Sequence, residues 1–199
     1  MNEHVEKKLI ALVSRSLRQY GVRAVRMDVI AREMNMSKRT LSKVYKTKDN
    51  LLNICLEAYA DRMRNLFQII RCNYPEPLAF WRELSKAFVE NLYKAESVFW
   101  CEVARCYRYI YDAIQNVWFG EMERGLLVCQ TERLVLPDLD VRKFLASFTT
   151  MLYQARVTEC PSEMLHDSAY YMLRGVLSEP GLTRLGQCSV HDSSIMHHR

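Results

Sequence analysis

The chain has 199 residues, of which 49% are apolar and 26% charged, with 28 Lys or Arg against 23 Asp or Glu. That composition supports a packed core and excludes a disordered or low-complexity protein. The net charge of +5 lies in the first 50 residues, which hold 12 Lys or Arg and 5 Asp or Glu, whereas the remainder holds 16 and 18. Such an asymmetry predicts a basic head that meets a polyanion, joined to a near-neutral body.

Six Gly, five Pro and no alternating β-branched runs predict an all-α fold with almost no sheet. The first predicted helix runs from Val5 to Tyr20, its apolar positions Leu9, Ile10, Leu12, Val13, Leu17 and Tyr20 recurring at three and four residues, and Gly21 stops it. A short second helix is expected over Met27 to Met34, with Ile30, Ala31 and Met34 inward. Asn35 then provides a tight left-handed turn. Ser37 has the chemistry of an N-cap for a third helix whose buried side is Leu41, Val44 and Tyr45, and Thr47 repeats the signal before a long fourth helix.

Beyond Ile70, helices are expected at about 77–94, 97–113, 115–133, 139–158 and 164–178, which makes about nine in total, with one break near Gly120. The first residues lack a signal peptide's apolar core and no apolar run approaches the length of a membrane span, so a soluble, cytoplasmic protein is expected. The seven cysteines are odd in number and scattered, which suits buried reduced thiols.

Two short helices that cross closely need a small residue in the first, a permissive residue in the turn and an apolar side on the second, which then lies in a DNA major groove. Ala31, Asn35 and the Ile30, Met34, Met36, Leu41 and Val44 set fill those places. Lys38, Arg39, Thr40, Ser42 and Lys43 are left facing outward. Cations neutralise phosphates, Arg pairs with a guanine edge, and the Thr methyl can touch a thymine methyl.

The stretch "GVRAVRMDVIAREMNMSKRTLSKVYKTKDNLL", Gly21 to Leu52, resembles the DNA-binding domain of TetR-family transcriptional regulators. Gly21, Ile30-Ala31, Met36-Ser37-Lys38, Thr40-Leu41, Tyr45 and Thr47-Lys48 carry the likeness. "LVLPDLDVRKFLASFTTMLYQA" and "AYYMLRGVL" resemble the family's last two core helices. The chain departs from the pattern at Asn35 (commonly Gly), Ser42 (commonly aromatic), Arg26 (commonly Ser or Thr) and Arg39 (commonly small).

The resemblance implies a helix-turn-helix DNA-binding domain over 1–47, a helical ligand-binding and dimerisation domain over 48–181 and a flexible tail over 182–199. It places Arg26, Met27, Ser37, Lys38, Arg39, Thr40, Ser42, Lys43 and Lys48 at the DNA. It further implies a homodimer, with the uncharged run Phe144 to Ala155 at the interface, and a palindromic operator. Release would come from a small apolar or aromatic ligand, for which Trp100, Tyr107, Tyr111, Trp118 and Gln154 are the candidate lining.

Neither a metal nor a cofactor is expected, and no hydrolase, phosphate-loop or metalloprotease motif points to catalysis. Two alternatives stay open. One is a metal- or thiol-responsive DNA-binding regulator using Cys188, His191, His197 and His198 or Cys101 and Cys106; the other is a sequence-independent architectural DNA binder.

Overall fold

The computed structural model describes residues 2–186. Nine α-helices follow in chain order: α1 (Glu3–Tyr20), α2 (Met27–Glu33), α3 (Lys38–Tyr45), α4 (Lys48–Asn73), α5 (Pro77–Tyr93), α6 (Ser97–Arg105), α7 (Arg108–Thr131), α8 (Val141–Val157) and α9 (Ser162–Arg174). A further helical segment covers 179–186, with Leu185 buried. The expected all-α class is observed. The one antiparallel bridge among the described residues joins Val135 to Leu177.

The described residues form two compact units, 2–64 with 93–117, and 65–92 with 118–186. In the first, α1 begins on the Asn2 side chain, which accepts the His4 N–H at 3.1 Å, and buries Leu9, Val13 and Leu17. It stops at Gly21, whose φ of 83° and N–H to the Leu17 carbonyl close the last turn. Glycine is needed there twice over. The backbone is one that L side chains rarely adopt, and a Cβ would stand 2.7 Å from Glu102 Oε2.

Two expectations for this unit need correction. Tyr20 is exposed, so the α1 stripe ends at Leu17. The helix expected over 97–113 breaks earlier, at Cys106 and Tyr107, where the Tyr107 N–H goes to the Glu102 carbonyl at 3.2 Å, already used by the Cys106 N–H at 2.8 Å, instead of to the Val103 carbonyl one residue on. Gly120, by contrast, lies inside α7, where its neighbours keep the helix going.

The second unit is built on aromatic packing. Trp118 is fully buried, with the rings of Phe67 and Phe88 edge-on to it at 4.9 and 5.3 Å, and Trp81 packs against Phe148 at 5.4 Å. The Trp81 Nε1–H is satisfied by the Met122 carbonyl at 3.1 Å. Glu121, almost fully buried, is flanked by the guanidinium groups of Arg71 and Arg124, so its charge is paired rather than stranded. Helices α8 and α9 pack on one another.

Candidate nucleic-acid interface

The contacts that start and end α3 are local. Helix α2 ends with Met34, and Asn35 enters the left-handed region at φ 54°, which lets the Met36 N–H return to the Ala31 carbonyl at 2.9 Å. Ser37 then caps α3. Its Oγ accepts the Thr40 N–H at 3.0 Å and lies 2.8 Å from the Thr40 hydroxyl. Leu41 and Tyr45, one turn apart, are buried, as are Ile30 and Ala31 of α2, the helix on which α3 packs. Lys46, at φ 56°, ends the helix with its N–H on the Ser42 carbonyl.

Tyr45 also ties the head to α1. Its hydroxyl donates to Glu6 Oε1 at 3.5 Å, and burial together with that carboxylate pushes the phenol up to about 12. The turn from α1 into α2 is held by buried Val22 and Val25 and by Glu102 of α6, whose carboxylate accepts the Arg23 N–H at 3.0 Å. On a neighbouring stretch the Glu96 N–H donates to the Arg18 carbonyl at 2.8 Å.

Helix α3 exposes Lys38, Arg39, Thr40 and Lys43, and Ser42 is half-buried at its edge. With Leu41 and Tyr45 fixed inward, the 100° step per residue sends Arg39 and Lys43 to the opposite side. Arg26 precedes α2 as a cap that makes no side-chain capping bond. It instead pairs with Asp28 at 3.0 Å while staying largely exposed, and Met27 beside it is half-buried.

Two residues of the head depart from their expected roles. Val44, expected inward, is 49% exposed, because the buried stripe of α3 is centred between Leu41 and Tyr45 and leaves Val44 about 80° off that line. Lys48, expected at the DNA, turns inward. Its ammonium donates to the Val22 carbonyl at 2.6 Å and stands 5.8 Å from the Tyr107 ring centre, and burial lowers its proton affinity. Nothing in the sequence marks Val22 as its acceptor, since the Lys stem is long and its reach is decided by tertiary packing.

The expected ligand set is divided between the two units, with Trp100, Tyr107 and Tyr111 in the first and Trp118 and Gln154 in the second. Trp100 is buried against Phe99 at 5.0 Å, Tyr107 is half-buried, and Tyr111 lies under the Arg108 guanidinium at 4.8 Å. Trp118 is core of the second unit, and Gln154 is exposed on the outer side of α8. Gln115, absent from that set, has a buried Nε2 without a hydrogen-bond partner among the described residues, four positions along α7 from Tyr111. A polar amide on an otherwise apolar helical stripe is the signal that marks it in the sequence.

A separate cleft of about 330 Å³ opens in the second unit between α5 and α9, lined by Arg82, Ser85, Lys86, His166, Asp167 and Tyr170 among others. It contains none of the expected ligand residues.

Of the six cysteines described, Cys55 and Cys129 are buried, with thiols pushed by burial up to about 11 and about 12, while Cys72 and Cys106 are exposed. The expectation of buried thiols therefore holds for Cys55 and Cys129 and not for Cys72 and Cys106, because helix position alone does not fix depth. Among the described residues no group of His, Cys, Asp and Glu is placed to hold a metal ion. Cys188, His191, His197 and His198 lie outside the described residues. No helix among the described residues is long and apolar enough to cross a membrane.

With this geometry in hand, likeness to solved structures defines the class: the chain has the all-α fold of TetR-family transcriptional regulators. A TetR regulator from Haloarcula marismortui superposes with a TM-score of 0.70 at 19% identity, over 89% of this chain and 100% of the other. RolR in complex with resorcinol superposes with a TM-score of 0.63 at 16% identity, over 92% of each chain. The superantigen PfiT has the same fold, with a TM-score of 0.69 at 14% identity over 89% and 98% of the two chains. Neither a protein-family model nor a curated protein sequence matches the chain.

Proposed function

We propose that the chain is a sequence-specific, DNA-binding transcriptional regulator of the TetR type, working in the cytoplasm. The observation that carries this reading is α3 itself: an N-capped helix pinned by Leu41 and Tyr45, presenting Lys38, Arg39, Thr40, Ser42 and Lys43 on its free side. Arg39 is the base reader, Lys38 and Lys43 neutralise phosphates, and Arg26 and Met27 flank them at the start of α2. The Ser37 hydroxyl, engaged with Thr40, sets the start of the reading helix. A fold shared with a superantigen does not by itself assign a function; this surface and its charge are what support the reading.

The same reading makes the protein a homodimer on a palindromic operator. Along α8, Ala146, Ser147, Thr150 and Gln154 are exposed yet small or uncharged, and on α9 Met164 and Tyr171 are exposed and apolar in character, which suits a helix-on-helix interface. The buried unpaired Gln115 amide beside half-buried Tyr111 supports a ligand with one hydrogen-bond acceptor on an apolar or aromatic body. Release requires that ligand to prefer the DNA-incompetent dimer, each tenfold preference supplying about 1.4 kcal/mol per site.

Selection of bound duplexes from a random pool by the full chain tests the central claim. Enrichment of a two-fold symmetric sequence is the expected result, and Arg39→Ala should then alter preference at particular base pairs by about 1 to 3 kcal/mol. Uniform retention of every duplex would instead favour sequence-independent, architectural binding. A thiol-responsive variant is favoured by one contact, Arg23 Nη2 donating to the exposed Cys106 Sγ at 3.2 Å on the turn into α2. Operator binding unchanged by mild peroxide would remove it.

A further inference from the structure

We infer that Val44 reads a thymine methyl group in each half-site, an assignment that rests on the DNA-binding reading above and adds a specific base to it.

Val44 is an aliphatic side chain in the last turn of α3, 49% exposed among residues that are otherwise polar or charged on that side. It contributes little to the core that holds the helix, since Leu41 and Tyr45 fill that role. A β-branched residue is also a weak helix former, so neither packing nor propensity accounts for it in a helix of eight residues.

Its place on the helix aligns it with the reading face. Thr40 stands one turn before it, so the two branched side chains share one edge of the surface that includes Arg39 and Lys43. The Thr40 hydroxyl is occupied by Ser37 Oγ at 2.8 Å. Among the base edges of the major groove, the C5-methyl of thymine is the apolar group. Cytosine offers only a C5–H at that place, and the remaining groups are hydrogen-bond donors and acceptors that Val44 cannot pair with. An apolar side chain brought to that groove therefore favours thymine and disfavours a base whose polar edge it would cover.

The test uses the full chain and the duplex it selects from a random pool, scanned by replacing each thymine with uracil, which removes only the methyl group. The expected result is one position per half-site where uracil weakens binding about fourfold, the scale of one buried methyl group. Val44→Ala should weaken the parent duplex by a similar factor and lose its sensitivity to uracil at that position, while Val44→Thr, which keeps one methyl branch, retains part of both. Uracil penalties that persist in Val44→Ala, or that vanish in Thr40→Ser instead, would overturn the assignment, as would a loss in Val44→Ala that is equal on all sequences. Failure of the parent protein to enrich any duplex would defeat the DNA-binding reading itself.

Discussion

The Glu102 carboxylate accepts the backbone N–H of Arg23 at 3.0 Å, and the space it occupies is the space a side chain at residue 21 would need. Helix α6 thus grips the turn that leads into α2 through one acidic group and one missing Cβ. Gly21→Ala should cost about 1 to 3 kcal/mol in unfolding free energy, from an unfavourable φ and the collision with Glu102. Combining it with Glu102→Ala should recover only the collision's share. Denaturant titration of the single and double variants measures this, and strict additivity would count against it.

Lys48 provides a second check on the same region. With its ammonium on the Val22 carbonyl, Lys48→Met should lower stability by about 1 to 2 kcal/mol and leave the salt dependence of DNA binding unchanged. Lys38→Met and Lys43→Met should each reduce the slope of log K against log salt by about one, with little loss of stability. A reduced slope in Lys48→Met would return that residue to the phosphates.

The face of α8 makes a prediction about assembly. Thr150 is exposed and uncharged, so Thr150→Glu should leave the helical content intact while setting two like charges against each other across a two-fold interface. Sedimentation should then report a monomer for the variant and a dimer for the parent chain. An unchanged dimer would move the interface off this face.

Acid should act on the start of α8. Asp140 accepts the Lys143 N–H at 3.1 Å and pairs with the Lys143 ammonium at 3.1 Å, and these contacts hold its carboxyl below the usual carboxylate range. Because the folded value lies below the unfolded one, the contribution is complete above about pH 4 and is lost as pH falls through the folded value. The stability gap between the parent and Asp140→Ala should therefore narrow below about pH 4. A gap that stays constant through that range would contradict the assignment.

What sequence made legible follows from how local each signal is. Gly21, Asn35, Ser37 and Thr47 were readable because caps and left-handed turns depend on a few adjacent backbone groups, and each performs the expected local task. Val44 and Lys48 were not, since the first depends on where the buried stripe of α3 is centred and the second on a carbonyl 26 residues away. The ligand residues were least legible. A tryptophan at helical spacing reads the same whether it lines a cavity or, like Trp118, sits between two phenylalanines.

Helix α3 runs from its Ser37 N-cap to Lys46, whose positive φ ends it, and it is eight residues long. At about 1.5 Å per residue it is only about 12 Å long, enough to follow roughly three or four base pairs. Four pairs distinguish on the order of a few hundred sequences, against the roughly 10⁶ or more competing sites of a genome. One such head carries too little information to find an address. In the proposed dimer a second copy, held at fixed separation, would square that number to on the order of 10⁴ to 10⁵ and so narrow the candidate addresses several-hundred-fold.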